Sequence, residues 1–469
     1  MDRLERKTWE MRFILVPHDV GQNSARIWAG ATESPAPPGD VDLTLEPGEI
    51  RGPLPAAKWR RVTAGGSLPA TGNQVYVQTV SVSGLASGTA YRVTAPNANS
   101  PRFRTLPAQV PSDPERPFTV WLGSCFSLDT DREGLLGFIA GRLPEQFRPD
   151  VKILCGDQVY LDNLAFGLPS FALVGNLGER FLKNYLGTWG QRLGGASGYQ
   201  VFLETGGTYF TADDHEFWNN YPNWTSLIFN SWSSAGRERW EQAALGLFQD
   251  FQSPEPPLTG RPQTFRVDPL SFFVADTRVY RRQGDSHFMR DDDLSALEQW
   301  VRNLDGPGVL VLGQPVFEAP ANWLTKRLAD RLLSNYEQYR TLARVLFDSR
   351  HSILLLTGDV HFGRIARCTL REGPRPVELY EVISSPCSLV SPLVGNQSHA
   401  AVAKFPPKPF PEVRSVPTQT FWHKAEDQFV TLQFHQSAGR VLAQVNYWFP
   451  KRNRFGNPQT EMYRYIQLT

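Results

Sequence analysis

Five short apolar runs in this chain stop abruptly at carboxylates, a thiol or an imidazole. Phe118-Thr-Val-Trp-Leu-Gly runs into Ser124-Cys125, and Val151-Lys-Ile-Leu-Cys runs into Gly156-Asp157-Gln-Val-Tyr160. Thr208-Tyr-Phe-Thr-Ala is followed by Asp213-Asp214-His215-Glu216. Ser271-Phe-Phe-Val-Ala leads to Asp276-Thr-Arg278, and Ser352-Ile-Leu-Leu-Leu-Thr to Gly358-Asp359-Val-His361. Runs this short and this apolar read as strands buried on both faces, and helical periodicity between them predicts an α/β fold. Ligands of open α/β sheets bind outside the carboxyl ends of the strands. The five polar ends are therefore expected to converge.

Helices are predicted at Gly134 to Phe147, Phe171 to Gly190, Gly236 to Phe251, from the Asp291 cap onward, and from Ala329 to Arg350. Near the end, the runs starting at Phe429 and Val441 alternate like a β-hairpin. The first 108 residues differ, with alternating runs such as Val75-Tyr-Val-Gln-Thr-Val-Ser-Val separated by Gly, Pro and Ser turns. That pattern predicts a small β-sandwich, and Tyr91, just after a glycine turn, resembles the tyrosine corner of fibronectin type III domains. The Pro-rich exit from Leu106 to Pro117 places a boundary near residue 110, giving regions 1–110 and 111–469.

The 48 Lys and Arg residues against 47 Asp and Glu leave a charge of +1, so no general field draws the chain to nucleic acid or to an anionic membrane. Four cysteines in so long a chain, without CxxC pairing, make no disulfide framework, and each is read singly. No window has the apolar length of a membrane span, and the charged start MDRLERKTWEMRF carries no secretory signal, so the sequence reads as cytoplasmic.

Asp157, Asp214 and Asp359 brought together would repel one another unless cations neutralised them. With His361 they offer the oxygen and nitrogen donors suited to a pair of metal ions, Asp157 bridging. Any one Gly-Asp at a strand end is more often a turn or cap; five successive strand ends that each deliver such polar residues, two of them with His, reverse that preference. Cys155, inside its apolar run, reads as a small buried hydrophobe. Cys125 leaves its strand toward the crevice, where neighbouring carboxylates disfavour a free thiolate and make it a ligand rather than a nucleophile. His215, beside a presumed ligand, is placed to give a proton to a leaving alkoxide. Arg278 and, on a predicted helix, Arg237 and Arg239 carry guanidinium groups suited to phosphate oxygens, though a solvated surface is the stronger reading for the helical pair.

These residues resemble the PhoD-like alkaline phosphatases of the calcineurin-like metallophosphoesterase superfamily. The matching segments are Gly123-Ser-Cys125, Gly156-Asp-Gln-Val-Tyr160-Leu-Asp162, Asp213-Asp-His-Glu-Phe-Trp-Asn219-Asn220, Ala275-Asp-Thr-Arg278-Val-Tyr-Arg281, Leu312-Gly-Gln314 and Gly358-Asp-Val-His361-Phe-Gly. The resemblance implies a four-layer α/β/β/α sandwich behind a fibronectin type III-like domain, hydrolysing phosphate mono- or diesters by attack of a metal-bound water or hydroxide. It implies Cys125, Asp157, Tyr160 and Asp359 as ligands of Fe3+. A Ca2+ site would draw on Asp157, either Asp214 or Asn219, and His361, with zinc and manganese as further candidate ions. His215 resembles the general acid and Arg278 a phosphate contact, while Arg237 is kept from the residue reading as a substrate-binding candidate. Pro315 stands where that family more often has a second Gln, and its members are commonly exported behind a leader that this sequence does not show. The partner expected is a small phosphate ester. The competing readings are an inert, metal-stabilised binding or adhesion protein, and a Cys-dependent hydrolase, for which the surrounding carboxylates are unsuited.

Overall fold

The computed structural model describes residues 12–469 apart from 70–73, 165–167, 170–176, 194–196, 227, 254–261, 323–330, 390–398 and 451–458. Residues 12–104 form two four-stranded antiparallel sheets. One pairs Arg12–Val20, Ser24–Ser34, Gln74–Ser83 and Arg60–Arg61; the other pairs Ile50–Leu54, Val41–Glu46, Ala90–Thr94 and Arg102–Arg104. Period-2 alternation turns Leu15, Ile27, Leu43, Leu45, Val93 and Phe103 into one shared apolar cluster. The Tyr91 hydroxyl accepts the Ala86 N–H at 2.9 Å, tying the turn back to its strand. The front sheets share a core with the region that follows. Ile14, Val16, Trp28 and Val75 belong to the same cluster as Trp121, Phe210 and Trp240, and Trp28 Nε1 donates to the Asp250 carbonyl at 2.7 Å.

Five strands lead to the polar residues singled out above: β1 (Phe118–Gly123), β2 (Val151–Cys155), β3 (Gly207–Thr211), β4 (Leu270–Val274) and β5 (Ile353–Thr357). They do not share one sheet. β3, β2 and β1 run parallel at one side of a six-stranded sheet, completed by antiparallel Phe429–Ser437, Arg440–Phe449 and Gln459–Leu468. β4 and β5 flank Gly308–Val311 in an eight-stranded sheet and run parallel with it. Successive side chains point to opposite faces, so Val120 and Leu122 of β1 join Leu354 and Leu356 of β5 in a cluster between the sheets. Trp121 and Leu154 face outward onto helices that include α1 (Leu177–Trp189) and α2 (Ser234–Phe251). Ile353 and Leu355 face the helices Asp291–Arg302 and Gln338–Asp348. The fold is mixed α/β with several sheets.

Helix ends depart from the sequence expectation where proline and turn chemistry intervene. The helix predicted at Gly134 to Phe147 is cut to Leu135–Ala140, and Pro144 opens a separate turn at Glu145–Phe147. The helix predicted from Ala329 is confined to Gln338–Asp348, and residues 323–330 lie outside those described. The start predicted at Phe171 likewise lies outside them. Among the described residues, no helix is long and apolar enough to cross a membrane.

Candidate metal centre

The two sheets meet at the carboxyl ends of β1, β2 and β5, where the chains cross at backbone distance. The Cys125 N–H donates to the Gly156 carbonyl at 3.2 Å and the Phe126 N–H to the Asp157 carbonyl at 2.8 Å. The Asp359 N–H donates to Ser124 Oγ at 3.2 Å. This crowding explains the glycines: a Cβ on Gly156 would sit 2.4 Å from Asp213 Cβ, and one on Gly358 would sit 2.5 Å from Ser124 Oγ. It also bends the residues that follow. Nine described residues other than glycine have positive φ, and four of them are Cys125 (56°), Asp157 (56°), Asp359 (69°) and His361 (58°). A left-handed backbone costs a non-glycine residue about 1–3 kcal/mol and persists only where the surroundings enforce it. Here it turns each side chain off its strand axis into one chamber.

Three overlapping donor groups result, each with ligand atoms within 4.8 Å of one another: Cys125, Asp157 and His361; Asp157, Asp214 and His215; Asp213, Asp214 and Asp359. Cys125 Sγ lies 3.4 Å from Asp157 Oδ2, and the Tyr160 hydroxyl lies 3.4 Å from His361 Nε2. His361 thus stands with Cys125 and Tyr160, whereas the family pattern groups it with Asp214 or Asn219. Asp359 faces Asp213 and Asp214, and its Oδ2 accepts Gln314 Nε2 at 2.9 Å. Asp213 enters the cluster although the sequence reading gave it no ligand role.

Burial first, and then neighbouring carboxylates, pushes the Asp157 carboxyl well above its usual range, with His215 opposing. Burial also raises Asp213 against its partner Arg278. The Cys125 thiol and Tyr160 phenol are pushed up by burial as well, with Asp157 adding to both. A buried set of anions with these shifts is unfavourable by itself and becomes favourable around a cation. Buried Asp213 Oδ2 and Asn219 Oδ1 have no hydrogen-bond partner among the described residues, which suits oxygen ligands aimed at an ion. The donor set therefore fits metal.

Around the donors stands a supporting ring that sequence reasoning passed over. Asp162 Oδ1 lies 2.7 Å from His215 Nδ1, and its Oδ2 accepts the Asn219 N–H at 2.7 Å. Burial opposes a charge on His215, but Asp162, Asp214 and Asp157 outweigh it and hold the imidazole well above its ordinary pKa. Glu216, fully enclosed, accepts the N–H groups of Asp157 (2.7 Å), Gln158 (2.6 Å) and Asp213 (2.9 Å), locking the β2 and β3 loops together. Both residues lie inside the quoted motifs; only contact reveals their roles.

The arginines behave differently. Arg278 is fully buried, its guanidinium ion-paired with Asp213 and donating to the Tyr221 carbonyl at 3.0 Å. Arg237 lies half-buried on α2 and donates to the Ser231 carbonyl at 2.6 Å. Cys155 is buried as a free thiol, as are Cys368 and Cys387.

No protein-family model and no curated protein sequence matches the chain. Its fold, however, is that of solved phosphatases. A structure titled "Structure of PhoD" superposes with a TM-score of 0.65 at 12% identity, covering 97% of this chain and 89% of the other. The purple acid phosphatase PPD1 from yellow lupin (Lupinus luteus) seeds gives 0.57 at 10% identity, covering 97% of this chain and 74% of the other. The likeness is one of fold: this chain shares the architecture of these two structures. Of the two, the PhoD structure, named for the family whose motifs the sequence resembles, superposes with the higher score.

Proposed function

We propose that this chain is a metal-dependent phosphoesterase acting on mono- or diesters of small molecules. The observation that carries the reading is the convergence of Cys125, Asp157, Asp214, His215, Asp359 and His361 in one chamber at the ends of strands from two sheets. In this reading residues 1–110 are a fibronectin type III-like sandwich, supported by the bond from Ala86 to Tyr91, and residues 111–469 a four-layer α/β/β/α catalytic region. Cys125, Asp157, Tyr160 and Asp359 would hold Fe3+, and Asp157, Asp214 or Asn219, and His361 would hold Ca2+. When bound, the ions supply Lewis-acid polarisation and an acidified water. Metal analysis of the purified protein beside a phosphomonoester and phosphodiester panel tests the reading; metal-free protein, or loaded protein inert on every ester, overturns it.

The residues then divide the work. Asp162 engages His215 Nδ1 and fixes the ring, so Nε2 is the nitrogen left to deliver a proton to the departing alkoxide. His215→Ala is expected to cost about 10²–10⁴-fold on alkyl phosphates, whose leaving oxygens need that proton, and much less on nitrophenyl phosphate. Equal losses on both would assign His215 to structure or metal binding. Arg278, enclosed with Asp213, acts as a positioning residue rather than the phosphate clamp the sequence suggested, since its fork is already occupied. Arg237, half-buried on α2, is retained as the substrate-side candidate.

A thiolate and a phenolate must both lose protons to bind, and burial resists that at Cys125 and Tyr160, so a highly charged ion is favoured there. The loaded protein is expected to be coloured, with a visible band that bleaches on reduction or chelation. Cys125→Ser and Tyr160→Phe should each shift or remove it. A colourless, fully active enzyme holding zinc alone would exclude iron and leave the esterase reading standing.

A further inference from the structure

The donor cluster accounts for the phosphate but not for what the phosphate is attached to. A cavity of about 850 Å3 lies against Tyr160, a size that takes a small organic molecule. Its walls come from parts of the chain remote in sequence. Val62, Leu68 and Val75 belong to the front sheets and their loops, Leu182 and Leu186 to α1, and Leu128 to the segment after β1. Leu68, Leu128, Leu182 and Leu186 are only partly buried, so the cavity presents apolar surface beside the polar side chains of Gln74, Ser127, Asn163 and Asn184. Tyr160 is the wall it shares with the metal cluster, and the same ring packs on His215 with centroids 4.3 Å apart. Tyr160 is thus the residue common to the cavity and the donor cluster, one ring contact away from His215.

The wall is fixed in place. From α1, Arg180 Nη2 donates to the Asn163 carbonyl and Asn184 Nδ2 to the Tyr160 carbonyl, each at 3.1 Å. The charges along the lining balance, Asp129 and Glu179 against Arg180 and Lys183. A pocket of this kind gives an uncharged apolar group a favourable place and offers a second phosphate no net attraction.

We infer that this cavity receives the alcohol part of the ester, making the substrates phosphate esters of apolar, uncharged aryl or alkyl alcohols, selected jointly by the front sheets and α1. The inference rests on the phosphoesterase reading. Its test compares phenyl phosphate with biphenyl-4-yl phosphate, whose leaving oxygens are closely matched in acidity while the second ring fills the pocket. The metal-loaded enzyme is expected to prefer the biphenyl ester by about tenfold or more in kcat/KM, chiefly through KM. Leu182→Asn and Lys183→Trp should abolish the preference while leaving phenyl phosphate unaffected; Lys183 is exposed, so that variant does not disturb packing. No preference in the wild type, or equal losses on both esters in the variants, overturns the subsite and leaves the esterase intact. Loaded wild-type enzyme inert on both esters and on nitrophenyl phosphate overturns the esterase reading itself.

Discussion

Asp157→Asn is expected to abolish turnover, with kcat falling by about 10³-fold or more, while the protein still folds. Asp157 belongs to two of the three donor groups, so in the proposed reading its charge would serve two ions rather than one. Loss of a single well-placed electrostatic group at a reacting centre costs about 10²–10³-fold, and a bridging carboxylate serves two such groups. The amide retains an oxygen able to accept the His215 N–H, which Asp157 Oδ1 does at 3.1 Å, so the local backbone bond survives. Stability should move the other way. Without metal, Asp157 is crowded by Asp214, Asp213 and Glu216, and removing one charge from that buried set relieves repulsion. Metal-free variant should therefore melt no lower than metal-free wild type. Adding metal at about 100 times its Kd should stabilise the wild type by about 2.7 kcal/mol and the variant by far less. Thermal melts with and without metal, read beside ester hydrolysis, check both halves; a variant that keeps full metal content and activity would sink the two-metal reading.

The second large effect lies at the junction between the front sheets and β3. His18 is fully enclosed, its ring parallel to Trp28 within 3° and edge-on to Phe210 at 5.4 Å, and neither ring nitrogen has a partner among the described residues. Burial, with Lys152 and Arg26 adding repulsion, lowers its pKa from 6.5 to about 3. The unfolded chain takes up this proton below about 6.5, whereas the folded chain does so only near 3. Each pH unit lost between those values therefore favours unfolding by about 1.36 kcal/mol, up to about 5 kcal/mol in all. Above that window the histidine adds no pH dependence. His18→Phe, which keeps an apolar ring in the slot, is expected to match the wild type at pH 7 and to exceed it progressively as the pH falls toward 3. Denaturant unfolding at several pH values measures this; parallel curves for the two proteins would show that the buried imidazole does not resist protonation.

Much of the candidate site could be read from sequence because it sits at strand ends. A strand buried on both faces needs an unbroken apolar run, so the first polar residue after Leu122-Gly123, Cys155 or Thr357 stands out by contrast. Arg278 shows where that reasoning stops. Its place after a strand end suggested a phosphate contact, but whether a guanidinium there faces solvent or Asp213 depends on how β3 and β4 approach across two sheets. Asp162 and Glu216 stood in plain sight within the motifs, yet their importance is a matter of hydrogen bonds to His215 and to three backbone N–H groups.

The chain's own pattern of apolar runs, turn glycines and polar strand ends determined the α/β class, the alternating front region and the residue types at the centre. Those follow from local requirements: burial of both strand faces, the need for glycine at crowded crossings, and the cost of leaving a carboxylate in an apolar run. Tertiary structure alone decided that the five strands belong to two facing sheets, that Asp213 joins the cluster, and that His361 stands beside Cys125 and Tyr160. It also decided that Tyr160 borders both the donors and a cavity walled by the front sheets and α1. The physical reason is common to all four. Cation sites and pockets are made of atoms a few ångströms apart on segments far apart in sequence, and their approach is fixed by how the sheets and helices pack.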